Sequence, residues 1–179
     1  TRSAPGPVPA PEPRPAVALR PRSLSVTDVE KWLANPYAIF AARILGLDPL
    51  PPLGRSPDAA LRGQIVHDAL RRFARRFPGG LPDEVAAELQ ACAQEALADL
   101  TGSPRVAAFW APRLARFTAW FAETEPDRRH EVAQSLAELD GKLVLEAPAG
   151  PFTLRARADR IDVGPAGLIV TDYKTTSSL

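Results

Sequence analysis

The chain has 179 residues, 45% apolar and 24% charged, with a net charge of +1, a balance that predicts one soluble folded domain and excludes a disordered or collagen-like chain. Cys92 is the single cysteine, which excludes an intramolecular disulfide and any cysteine-built zinc or iron-sulfur site and fits a reducing compartment. No stretch reaches the roughly 18 apolar residues of a membrane span, and the N-terminus lacks the apolar core of a signal peptide, so the expected location is cytoplasmic.

Methionine is absent, even at position 1, which predicts a processed piece or a fragment of a longer protein. The 22 cations comprise Lys31, Lys142, Lys174 and 19 arginines. Arginine is the better bidentate binder of phosphate, although a GC-rich genome produces the same bias.

Residues 1–22 carry Pro5, Pro7, Pro9, Pro11, Pro13, Pro15 and Pro21 with little to bury, and read as an extended, semi-rigid linker. The folded part opens at Leu24, where Thr27 and Glu30 have capping-box spacing ahead of a short helix. Asn35-Pro36 stops that helix and caps a second one, running to about Leu45 before Gly46. Beyond a proline-broken loop at residues 49–57, Leu61, Ile65, Ala69, Leu70, Phe73 and Phe77 recur at helical spacing up to Pro78-Gly79-Gly80. Two further helices are expected, at residues 83–100 and 104–123. The second is interrupted by Pro112 and carries an aromatic stripe of Trp110, Phe117, Trp120 and Phe121, which reads as core and less readily as a base-stacking platform.

The apolar period then changes from 3.6 to 2. Residues 135–139 and 142–146 flank Asp140-Gly141, a two-residue hairpin signal. A third strand is expected over 152–162. A fourth, over 168–174, contains consecutive Leu168, Ile169 and Val170 and is expected to be buried on both faces at the sheet centre. Helices followed by a hairpin-rich sheet predict an α/β (α+β) fold, with a helical N-terminal part ahead of a mixed sheet that lacks its last elements at the C-terminus.

On the third strand Asp159 shares a face with Arg155 and Arg157. On the fourth, Asp172 and Lys174 share a face and Tyr173 points the other way. An ion pair between Asp172 and Lys174 is one account. The other is that two carboxylates on neighbouring strands, with a lysine two residues beyond the second, suit phosphodiester hydrolysis assisted by Mg²⁺ or Mn²⁺: carboxylates bind the ion, the ion activates water, and the lysine stabilises developing charge. Gly63 and His67 lie four apart on one helical face, the histidine a candidate metal ligand or phosphate contact, and a mid-helix glycine costs up to about 1 kcal/mol relative to alanine.

The ordered set Gly63-x-x-x-His67, Asp159-Arg160-Ile161-Asp162 and Asp172-Tyr173-Lys174-Thr175 resembles the RecB-like branch of the PD-(D/E)XK nuclease superfamily. The run Ser23 to Glu30, with Asn35-Pro36-Tyr37-Ala38-Ile39-Phe40 and Ile44-Leu45-Gly46-Leu47, is similar to the start of the AddB-type C-terminal nuclease domain of bacterial AddAB helicase-nucleases, so the resemblance spans residues 20–179. It implies a restriction-endonuclease-like core and a DNA exonuclease acting in double-strand break repair and recombination beside an AddA-type subunit.

Carried over residue by residue, the resemblance makes His67, Asp159, Asp172 and the Tyr173 carbonyl metal ligands and Lys174 the catalytic lysine. Arg155, Arg157 and Arg160 become candidates for phosphate contact, Glu138 a solvated strand residue near the site, and Asp162 a strand terminator. Asn35 stands where many AddB-type domains place a cluster cysteine, so no iron-sulfur cluster is expected. The family's later Gln-x-x-x-Tyr helix has no counterpart before Leu179. The competing functions are a stand-alone exonuclease or CRISPR-adaptation nuclease of the same fold, and an inactive DNA-binding or scaffolding domain.

Overall fold

The computed structural model describes residues 12–50, 58–101 and 104–174. Residues 1–11 of the proline-rich segment, residues 51–57 of the proline-broken loop and Thr175 of the last motif lie outside these residues; residues 12–22 contain one 3-10 turn at Val17–Leu19. The chain divides into two units. One comprises residues 1–53 and 141–156, the other residues 54–140 and 157–179.

The first unit begins with a short strand, β1 (Ser23–Ser25), leading directly into α1 (Val26–Ala34) and α2 (Pro36–Arg43). The cap of α1 is Ser25, not Thr27. The Asp28 N–H donates to the Ser25 hydroxyl at 3.0 Å, and the Ser25 N–H donates to the Asp28 carboxylate at 3.2 Å. Any residue pair three apart with these side chains can close such a box, and the strand ending at Ser25 decides which pair does. Asn35 caps α2 as expected, accepting from the Ala38 N–H at 3.3 Å, with Pro36 in the first turn. Arg43 reaches back to Asp28 at 2.6 Å, and this guanidinium hydrogen bond holds the Asp28 carboxyl down at about 2. β1 runs parallel to residues 153–155, with Leu24 opposite Leu154.

The second unit is a three-helix layer, α3 (Asp58–Arg76), α4 (Val85–Thr101) and α5 (Pro104–Arg128), in which α4 packs against both of the others. Ile65, Ala69, Phe73, Leu89, Cys92, Ala93, Ala96 and Phe121 are buried together, so Cys92 is a packing residue whose thiol pKa is pushed up by burial. The aromatic stripe divides: Trp110 and Phe121 are buried and Trp120 is half exposed. Pro112 does not break α5, which continues through it to Arg128. A helix interior tolerates a missing N–H when its apolar face is anchored, here by Trp110, Leu114 and Phe121 on the core.

Strands β2 (Gln134–Leu145), β3 (Phe152–Gly164) and β4 (Gly167–Thr171) complete a mixed four-stranded sheet in which β3 pairs with β1, β2 and β4. The Asp140-Gly141 hairpin is absent. β2 runs straight through it, and the chain turns instead at residues 147–150, where the Gly150 N–H donates to the Ala147 carbonyl at 2.9 Å and Gly150 takes φ +103°. Pro148 and Ala149 form the centre of the turn, and Gly150, which closes it, takes a positive φ that glycine adopts without strain. At Gly164 an added Cβ would lie 2.6 Å from the Glu131 carbonyl oxygen, a close approach only glycine allows. β4 is also not the buried central strand expected. Among the described residues it pairs with β3 alone, and Leu168, Ile169 and Val170 are exposed.

Candidate active site

α3 is amphipathic: Ile65, Ala69, Leu70 and Phe73 face the core, while His67, Asp68, Arg71 and Arg75 lie on the other side. His67 therefore stands on the solvent side of a well-anchored helix. β3 carries Asp159, and the extended segment after β4 carries Asp172, Tyr173 and Lys174. Alternation along that segment partly buries Tyr173 against the helical core and leaves Asp172 and Lys174 exposed, as the period of two requires.

Tyr173 draws the centre together through its main chain. Its N–H donates to one Asp159 carboxylate oxygen at 2.8 Å, and its carbonyl lies 2.8 Å from His67 Nε2, accepting the ring N–H. The other Asp159 oxygen lies 3.5 Å from His67 Nδ1. An imidazole, a carboxylate and a backbone carbonyl thus converge from α3, β3 and the post-β4 segment. The His67 and Tyr173 rings meet edge to face at 6.0 Å, and burial pushes the Tyr173 hydroxyl pKa up.

The remaining expected residues are placed differently. Asp172 and Lys174 pair at 2.6 Å with both side chains exposed. Among the described residues, no group of three or more His, Cys, Asp or Glu side chains is gathered to hold a metal. The donors that do converge have the right chemistry for Mg²⁺ or Mn²⁺, since carboxylate, carbonyl and imidazole suit hard divalent ions. The Tyr173 N–H fixes the Asp159 carboxylate, as an orienting group around a metal ligand does.

Arg157 is exposed and holds Glu138 at 3.1 Å, whereas Arg155 is exposed in the first unit opposite Ser25. Arg160 is not available to a phosphate. It is buried, donating to Glu125 at 2.6 Å and to Asp162 at 2.7 Å. Burial works against its charge, but the hydrogen bond to Asp162 and the nearby Glu125 carboxylate outweigh that and push its pKa above the ordinary arginine value. Asp162 does not terminate β3 either; it sits inside the strand, accepting from Arg160 and from the Ser135 hydroxyl.

Two features escaped the sequence reading. The buried cluster of Glu125, Arg129, Arg160, Asp162 and Ser135 joins α5, β2 and β3; only its Glu125–Arg129 spacing of four was readable. The second is a shallow cleft of about 430 Å³ beside His67, lined also by Gln64, Arg71, Arg72, Asp99 and Glu138.

The chain is 27% identical over 161 residues to an uncharacterized protein of Rickettsia typhi, covering 87% of this chain and 18% of that protein. It is 26% identical over 165 residues to one of Rickettsia conorii, covering 87% and 19%. The chain therefore spans about a fifth of the length of the curated relatives it matches. Its sequence also matches the PD-(D/E)XK nuclease superfamily from residue 23 to residue 179, and on that match the chain belongs to this superfamily.

Proposed function

We propose that this chain is the nuclease part of a RecB-like, AddB-type helicase-nuclease, hydrolysing phosphodiester bonds of one DNA strand in double-strand break repair and recombination in the cytoplasm. The observation that carries the reading is the convergence of His67, Asp159 and the Tyr173 main chain at one point of the second unit. A Mg²⁺ or Mn²⁺ ion bound there supplies Lewis acidity toward a phosphate oxygen and lowers the pKa of an attacking water.

His67, Asp159, the Tyr173 carbonyl and Asp172 would hold the ion. Asp172, which pairs with Lys174 at 2.6 Å, would be the further carboxylate ligand, and the Lys174 ammonium beside it would orient water and neutralise charge developing on phosphorus. Of the three arginines expected to contact phosphate, Arg157 is exposed in the second unit and Arg155 in the first, and both remain candidates. An AddA-type subunit would provide the motors. A DNA-binding domain without activity is disfavoured because Asp159, Asp172 and Lys174 are all present.

Asp172→Ala in the full-length protein with its partner subunit should abolish cleavage of the strand this subunit handles and leave ATP-driven unwinding intact. Near wild-type cleavage with Mg²⁺ would make Asp172 structural and overturn the assignment.

A further inference from the structure

His67, Arg71 and Arg75 recur every four residues along the solvent side of α3, so the stripe advances about 6 Å of helix axis per step away from Asp159. Across from it on β2 stands Glu138, the single non-glycine residue at positive φ among the described residues, φ +53°. A glutamate held in the left-handed region is uncommon, and such strain concentrates at functional sites.

Three guanidinium groups face the same Glu138 oxygen: Arg157 at 3.1 Å, Arg71 at 3.8 Å and Arg75 at 3.8 Å. The two longer contacts exceed hydrogen-bond length, so these arginines attract the carboxylate without bonding to it. Arg71 also holds Asp68, and Arg157 also faces Asp140 at 3.7 Å. Arg75 is over half exposed. Asp68 and Asp140 take a share of Arg71 and Arg157 respectively, but the one group common to all three forks is a single Glu138 oxygen, where a phosphate offers several oxygens to the same donors.

We propose that Arg71, Arg75 and Arg157 form a subsite for a backbone phosphate of the DNA strand at the Glu138 edge of the cleft, which Arg71 and Glu138 line together with His67, and that Glu138 occupies it as a stand-in until the strand displaces it. The inference rests on the nuclease reading and names how that site grips its substrate.

The test is fluorescence anisotropy of a labelled single-stranded oligonucleotide with the full chain in EDTA, over a salt series, with melting temperatures recorded for each variant. Glu138→Gln should tighten binding by about two- to fivefold, because a competing ion pair is removed. Arg75→Ala should weaken binding and reduce the slope of log K against log salt by about 0.7, one phosphate contact on a single strand. If both variants melt lower while affinity and slope stay at wild-type values, the cluster only ties β2 to α3 and the subsite is refuted. Tighter binding by Glu138→Gln together with the lost slope in Arg75→Ala establishes it. A full-length protein with its partner subunit that binds the strand in this way yet never cleaves it with Mg²⁺ sinks the nuclease reading instead.

Discussion

Glu125→Gln is the most demanding test of how the second unit is held together. The Glu125 carboxylate is fully buried and its Oε1 accepts from Arg129 Nε at 2.7 Å and Arg160 Nη1 at 2.6 Å. With Asp162 on Arg160, two carboxylates balance two guanidiniums. The substitution keeps nearly the same shape but leaves one carboxylate for two buried cations. Removing one member of a buried ion pair costs about 3–5 kcal/mol, a large share of the roughly 5–15 kcal/mol that holds a domain folded. Urea denaturation should show that loss as a lower midpoint at unchanged slope. Glu125→Leu combined with Arg129→Met should recover part of it, since a matched apolar pair leaves fewer uncompensated charges. A loss below about 1 kcal/mol for Glu125→Gln would refute the claim that this cluster is desolvated and mutually dependent.

The first unit makes a prediction of its own through pH. Because the Arg43 hydrogen bond depresses the Asp28 carboxyl from 3.8 to about 2, the stability it lends is complete above pH 3.8 and is lost as pH falls toward 2. An NMR titration should place the Asp28 midpoint near 2, and Arg43→Ala should return it toward the ordinary value; an ordinary midpoint in the unsubstituted chain would break the link. Lys174→Ala should slow single-turnover cleavage by about 10²–10³-fold while leaving Mn²⁺ affinity unchanged or improved, because the ammonium acts on water and phosphate charge. Lys174→Arg should rescue poorly, and a fall in melting temperature with unaltered rate would return Lys174 to a structural ion pair.

The helices were legible because their apolar periods are long: Ile65, Ala69, Leu70 and Phe73 are buried on α3 as the spacing requires. The hairpin at Asp140-Gly141 was a local signal overruled by the continuous pairing of β2, and the true turn closes on Gly150 at positive φ. Leu168, Ile169 and Val170 read as buried from composition alone, yet burial depends on what lies against a strand, which no local pattern encodes. At the site, motif order pointed to His67 and Asp159, and the Tyr173 main chain hydrogen-bonds to both. Arg160 looked like a phosphate ligand because its neighbours are charged; its partners Glu125 and Asp162 come from α5 and β3, and the Glu125 contact is 35 residues away in sequence. Pairings at that separation are products of the fold, invisible to spacing.

The central claim is that His67 and Asp159 hold a divalent ion, and calorimetric titration of Mn²⁺ into the full chain tests it without reference to turnover. The unsubstituted chain should bind Mn²⁺ saturably, and Asp159→Asn and His67→Ala should each weaken that binding by at least about tenfold at unchanged melting temperature. Binding of equal strength in all three proteins would contradict the account.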